Sequence, residues 1–262
     1  MDRPAASPAW TTELGFRIRR YFFIKTFGIT AATWLFFIGY FYLLRHPAYP
    51  VTVMPLTALD RLIPLQPAAL VAYLSLWLYV GFAPALQRTF LELIVYGLWI
   101  GAMCLTGLAL FYFWPTAVPP RPVDVSDFPG FALMQGIDLA GNACPSMHVA
   151  AAIFTAIWVD HVLRLTHSPM VLRVINAAWF VAIAYSTMAV RQHVALDVAA
   201  GALLGVIFVL PSLHWRPGKG GSVGSVPGQQ RISSDGTQKG RSDGPLCQRH
   251  LPTVDTERDV SR

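Results

Sequence analysis

The chain has 262 residues, 54% of them hydrophobic and only 13% charged, with a net charge of +6. A water-soluble domain carries about 25% charged residues, and here the apolar residues gather in long runs, which excludes a water-facing globular core. No basic patch interleaved with aromatics occurs in a folded segment, which excludes nucleic acid as a partner.

The composition predicts an all-α, polytopic membrane protein with a six-helix bundle, since about 18 or more consecutive apolar residues suffice to cross a bilayer. Residues 1–25 are expected to be a cytoplasmic N-terminal segment, amphipathic around FRIRRYFF. Its charged region is long and no small-residue cleavage site follows the first apolar run, so it reads as an uncleaved anchor. The membrane domain is expected over 26–213. Its first run, Thr26–Leu44, is closed by Lys25 and Arg45. Residues 46–67 are Pro-rich and expected along the outer membrane face. The second run is Ala68–Leu86, with Pro84 set to end or kink it. The third, Leu93–Trp114, is free of charge and stops at Pro115. After the long loop 115–144 come Pro145–Leu163, which carries Asp160 near its far end, then Val174–Val190, and Val194–Leu213 with Asp197 in its first turn. From Pro217 the composition turns to Gly, Ser, Gln and charge, so 214–262 is expected to be a disordered cytoplasmic tail. Cys104, Cys144 and Cys247 form no disulfide framework.

Lys and Arg placement sets the orientation. With six spans both termini share one side, which takes 16 of the 20 basic residues; Arg45, Arg61, Arg121 and Arg191 fall on the other. Both termini are therefore expected in the cytoplasm, and the chain in a bacterial inner membrane.

On this topology two outer-side segments hold nearly all the reactive polar groups, CPSMH at 144–148 and YSTMAVRQHVALD at 185–197. Ionisable groups at membrane depth default to function. Pro145 suits a first helical turn. The N–H groups of Ser146, Met147 and His148 would then lack intrahelical partners and form an anion site, with the Ser146 hydroxyl as a further donor. His148 can give or take a proton near neutral pH. His193 and Asp197, spaced i, i+4, share a helix face, so the carboxylate can hold Nδ1–H and leave Nε2 as nucleophile or base. Arg191 suits a phosphate oxygen. Ser186 and Thr187, at the end of the fifth span, join the phosphate-binding candidates.

These residues resemble the type-2 phosphatidic acid phosphatase superfamily. Its blocks are Lys-x6-Arg-Pro, Pro-Ser-x-His and Ser-Arg-x5-His-x3-Asp. The second matches at Pro145, Ser146 and His148, and the third at Ser186, His193 and Asp197. Of the first, Arg121-Pro122 remains, with Trp114 at the lysine position; Thr187 takes the arginine position of the third. These departures, with the segment PTAVPPRP, are similar to the branch that includes inositol phosphorylceramide synthases. The resemblance implies a membrane phosphatase or phosphotransferase acting on a lipid phosphate ester. His193 would attack phosphorus, held by Asp197, and His148 would protonate the leaving oxygen. Arg121, Arg191 and Ser146 would hold the phosphoryl oxygens, with no cofactor and no metal. Two other readings stay open. One is a metal-dependent hydrolase with His148, His193 and Asp197 as ligands. The other is a non-catalytic lipid transporter or scaffold on the same fold.

The orientation has a direct test. In a background with the native cysteines replaced, Ser126→Cys and Gly218→Cys should be labelled from opposite sides of the membrane by an impermeant thiol reagent. Labelling of both from the outside would invert the topology.

Overall fold

The structure is a computed structural model and describes residues 9–120 and 142–216. The loop 121–141 with Arg121, the first eight residues, and the tail from 217 with Cys247 lie outside the described residues.

Among the described residues, five helices are long and apolar enough to cross a membrane. With the helices before and between them, they are α1 (Trp10–Arg19), α2 (Phe22–Arg45), α3 (Ala58–Leu62), α4 (Ala69–Leu74), α5 (Leu76–Tyr79), α6 (Phe82–Ala85), α7 (Phe90–Phe113), α8 (Met147–Leu165), α9 (Met170–Ala189) and α10 (Ala195–His214). The five are α2, α7, α8, α9 and α10, and the chain is an integral membrane protein. A small parallel ladder, β1 (Thr52–Val53) on β2 (Thr116–Ala117), joins two loops at one end of the bundle.

The second apolar run differs from its expectation. It forms not one long helix but the shorter segment Ala69–Ala85, interrupted at Ser75 and at Val80–Gly81. The interruptions keep helical backbone angles; the Gly81 amide bonds to Leu78, three residues back, which tightens the turn without ending the rod. Ser75 adds a second cause. Its hydroxyl bonds back to the Ala72 carbonyl at 2.7 Å and accepts the Trp179 indole N–H at 2.9 Å. Hydropathy does not register such breaks, because every residue at them is apolar or small.

Helix α8 is the centre of the bundle: 56% of its most apolar window is buried, against 6% for α2. Its sequence explains the position. Ala152 and Ala156 keep the flank toward Ile183 of α9 small, and at Ala150 and Ile153 the helix α10 meets α8 with glycine. A Cβ on Gly205 would fall on Ile153 and the Ala150 carbonyl, so α10 reaches α8 at backbone distance. On the other flank Phe154 and Trp158 pack edge-on to Tyr96 of α7, with ring centroids 5.5 and 5.8 Å apart. The Trp158 N–H is given to Ser212 Oγ at 2.9 Å, so no polar atom of that ring is stranded.

The far end of Ala69–Ala85 is tied by a buried cation. Lys25 of α2 is 3% exposed. Its ammonium donates to the Arg17, Ala85 and Gln87 carbonyls at 2.7, 2.8 and 2.8 Å, which uses all three of its protons. Arg17 takes the Leu86 carbonyl at 3.2 Å and pairs with Glu13 at 2.9 Å. These donors meet carbonyls that no helix satisfies, at the end of the segment where the helix dipole favours positive charge.

Lys25→Met should therefore strand carbonyls away from water. A loss of roughly 2–4 kcal/mol is expected, from charged hydrogen bonds removed and acceptors left buried. Thermal unfolding in detergent measures it. An unchanged midpoint would show that the knot is dispensable.

Candidate functional site

The site is assembled where α8 and α10 begin and α9 ends. Ser146 is the N-cap of α8: it is extended, fully buried, and its hydroxyl accepts the Val149 N–H at 3.4 Å. Its own N–H donates to the Asp197 carbonyl at 3.0 Å. That bond corrects one expectation, because the Ser146 amide is spent on α10 and is not available to an anion. Just upstream, the Thr116 hydroxyl accepts the Cys144 N–H at 2.7 Å, so the end of β2 holds the approach to α8. Burial, with the Asp197 carboxylate nearby, pushes the Cys144 thiol up to about 11. It is therefore a neutral thiol and not a nucleophile near neutral pH.

The end of α9 folds back sharply. The Thr187 carbonyl accepts the N–H groups of both Gln192 and His193, at 3.0 and 3.1 Å, and the Ser186 carbonyl accepts that of Val190 at 2.8 Å. Arg191 completes the reversal in the left-handed region, φ 62°. A non-glycine residue there costs on the order of 1–3 kcal/mol, which this turn meets to bring His193 beside α10. The hydroxyls of Ser186 and Thr187 donate to the Ile183 and Ala184 carbonyls at 2.7 and 2.8 Å, and both residues are fully buried. Their protons go to their own helix, and their carbonyls build the turn.

His193 and Asp197 come together, but not on one helix face as their spacing predicts: α10 begins at Ala195, and His193 is placed by the turn before it. Nδ1 of His193 lies 3.6 Å from Oδ2 of Asp197, a contact between opposed groups that is too long for a hydrogen bond. Oδ2 accepts the Val194 N–H at 2.9 Å, while Nδ1 of His193 and Oδ1 of Asp197 have no hydrogen-bond partner among the described residues. Catalytic hydrogen bonds are often this loose before a ligand binds. His148 faces the pair, with ring centroids 6.0 Å apart, and its buried Nε2 lacks a partner among the described residues. Arg191, His148 and His193 all line a largely apolar cavity of about 1250 Å³ that follows α2 from Leu44 to Lys25.

Two groups went unseen in the sequence. Tyr73 stacks on the His148 ring at 4.4 Å, 22° from parallel, and Trp77 meets it edge-on at 5.8 Å. They sit four residues apart on the interrupted segment, where aromatics read as lipid-facing. Asp60 of α3 accepts the Ala195 N–H at 2.8 Å, across the whole chain from the site. Its signal was legible: Thr57 and Asp60 form a capping box in an otherwise apolar loop. Among the described residues, no three His, Cys, Asp or Glu side chains gather as a set that could hold a metal ion.

The fold and the placement of these groups define a polytopic helical membrane protein with its ionisable cluster at one end of the bundle. Residues 114–220 match the model of the PAP2 superfamily, a superfamily that generally hydrolyses phosphate esters, so this segment is similar to it. The match is to the superfamily as a whole and does not select a branch within it. No curated protein and no solved structure matches the chain.

The site rests on close approach at Gly201, where a Cβ would fall on the Ser146 carbonyl oxygen. Gly201→Ala should push α8 from α10 and cost about 1–3 kcal/mol by overpacking. Gly97→Ala is the control, since a Cβ there meets nothing within 4 Å. Thermal unfolding of both in detergent tests this; equal midpoints would show that the helices part without penalty.

Proposed function

We propose that the protein is a membrane phosphatase or phosphotransferase acting on a lipid phosphate ester, through a phosphohistidine at the periplasmic face of a bacterial inner membrane. One observation carries the reading. Two imidazoles, one in the first turn of α8 and one in the turn between α9 and α10, face each other across 6.0 Å, beside a buried carboxylate, at one end of an apolar cavity long enough to take a lipid chain. The PAP2-superfamily match over the same residues supports a phosphate ester as substrate.

In the proposed reaction Nε2 of His193 attacks phosphorus while Asp197 steadies Nδ1–H. The ester P–O bond breaks, and His148 gives its proton to the leaving oxygen. Water or a second alcohol then attacks the phosphohistidine, loses its proton to His148, and the P–N bond breaks. The sites are restored, and the phosphoryl group leaves as phosphate or as a new ester. Arg191 is proposed to hold the equatorial oxygens, where charge spreads in the transition state, along with the Ser146 hydroxyl and the amides of the first turn of α8. Arg121 is proposed for the same task. Ser186 and Thr187 are proposed to act on the phosphate mainly through the turn they close, since their hydroxyl protons are already given to carbonyls. Their oxygens keep acceptor capacity only.

The two histidines separate by leaving group. With p-nitrophenyl phosphate, whose leaving group needs little protonation, His148→Ala should retain at least about tenfold more turnover than His193→Ala, roughly 1.4 kcal/mol of barrier. With a lipid phosphate both should be inactive. A phosphoenzyme labile in acid and stable in base should be trapped in His148→Ala and be missing from His193→Ala. Turnover by His193→Ala, or an acid-stable adduct, would sink the assignment.

A further inference from the structure

We propose that Asp60, on the loop between the first two apolar runs, is a positioning residue for this reaction; the inference rests on the functional reading above. Asp60 is 5% exposed, and each of its carboxylate oxygens is committed. Oδ2 accepts the Thr57 N–H and hydroxyl at 2.8 and 2.7 Å, which locks the short helix α3 at its start. Oδ1 reaches 2.8 Å to the N–H of Ala195, the first residue of α10. That amide lies two residues after His193 and two before Asp197. The first turn of α10 thus has two carboxylates on its orphan N–H groups: Asp197 on Val194, and Asp60, from far along the chain, on Ala195. Both favour the positive end of the helix dipole.

The consequence for chemistry is geometric. Nδ1 of His193 and Oδ2 of Asp197 stand at 3.6 Å, so a few tenths of an ångström decide whether a hydrogen bond forms. The turn that carries both is held to α8 by the Ser146 amide and to the outer loop by Asp60. The same loop is fastened to α9: the Gln66 N–H donates to the Ala189 carbonyl at 3.0 Å, and its amide side chain to the Tyr185 hydroxyl at 2.8 Å. Asp60 and Arg191 also line one small cavity, so the carboxylate sits beside the phosphate-binding candidate as well. Asp60 acts through His193 and Asp197 and touches no reacting atom.

The test uses the full chain in detergent, with Asp60→Ala and Asp60→Asn. Asparagine keeps an oxygen for Ala195 and loses one acceptor for Thr57. Asp60→Ala should lower kcat on p-nitrophenyl phosphate by about tenfold or more, with KM changed less than about twofold, because the substrate does not contact it. Asp60→Asn should recover most of that loss. Amide hydrogen exchange supplies a readout independent of activity: the peptide covering Ala195 should exchange faster in Asp60→Ala, with α7 and the middle of α8 unchanged. In an active wild-type protein, unchanged exchange at Ala195, or an Asp60→Asn as slow as Asp60→Ala, would overturn this inference alone. A wild-type protein inactive on every phosphate ester would overturn the functional reading and the catalytic role of Asp60 with it.

Discussion

The hydrogen bond from the Ser146 amide to the Asp197 carbonyl is the contact on which the histidine end of the bundle depends. A bilayer offers no water to helix ends, so each exposed N–H must find a partner inside the protein. Here one helix start satisfies another. The solution works only because residue 201 is glycine, which lets the α10 backbone come against Ser146. That approach sets the first turn of α8, with His148, beside the first turn of α10, with Asp197. The sharp turn through Arg191 then has a single task, to deliver His193 to the same point.

The rest of the structure at this end follows from the same shortage of partners. Thr116 takes the Cys144 amide, Asn142 gives its side-chain N–H to the Tyr40 carbonyl at 2.8 Å, and Asp60 takes the Ala195 amide. Each bond ties a segment outside the long helices to a distant part of the chain. The segment 46–67 is laced over the ends of α9 and α10, where its polar groups find donors and acceptors. The opposite end of the bundle is held by charge. Lys25, Arg17 and Glu13 form one cluster, and Arg216 reaches Glu92 at 3.7 Å and His161 at 2.5 Å. Carboxylates on backbone amides and neutral bonds close the histidine end, and ion pairs close the other.

What the sequence made legible has a physical boundary. Long charge-free runs are decisive in a bilayer, so the helices Phe22–Arg45, Phe90–Phe113 and Ala195–His214 stand close to where their hydropathy places them. His193 and Asp197 are close in sequence, but it is the left-handed turn through Arg191, not one helix face, that sets them side by side. The interruption of Ala69–Ala85 was not legible, because Ser75 and Gly81 cost little hydropathy, and Ser75 acts through a tertiary bond to Trp179. Nor could the stacking of Tyr73 on His148 be read, since an aromatic facing lipid and one facing a histidine have the same sequence. The Lys25 knot was read as a charge closing a span and as an orientation signal. Its three acceptors belong to residues about eight and sixty positions away, and no pattern in one strand of sequence points to a carbonyl.

The thin packing of α2 is the last consequence of these constraints. Its ends are fixed, by Lys25 at one and by Asn142 on the Tyr40 carbonyl near the other. Between them it touches α7 through Gly39 against Leu108 and Tyr40 against Phe111, and little of it is buried. A helix pinned at both ends and loosely packed between them leaves an apolar space beside it, and that space is the cavity lined by Phe36, Phe37 and Trp77. Such walls give a hydrocarbon chain contact at every depth without a polar group to orient it. Discrimination among lipids on the proposed function therefore falls to the polar end, to Arg191 and the first turns of α8 and α10, where direction and charge are fixed. A chain of different length shifts only nonspecific contact, whereas a misplaced phosphoryl group loses the alignment that Ser146, Gly201 and Asp197 maintain.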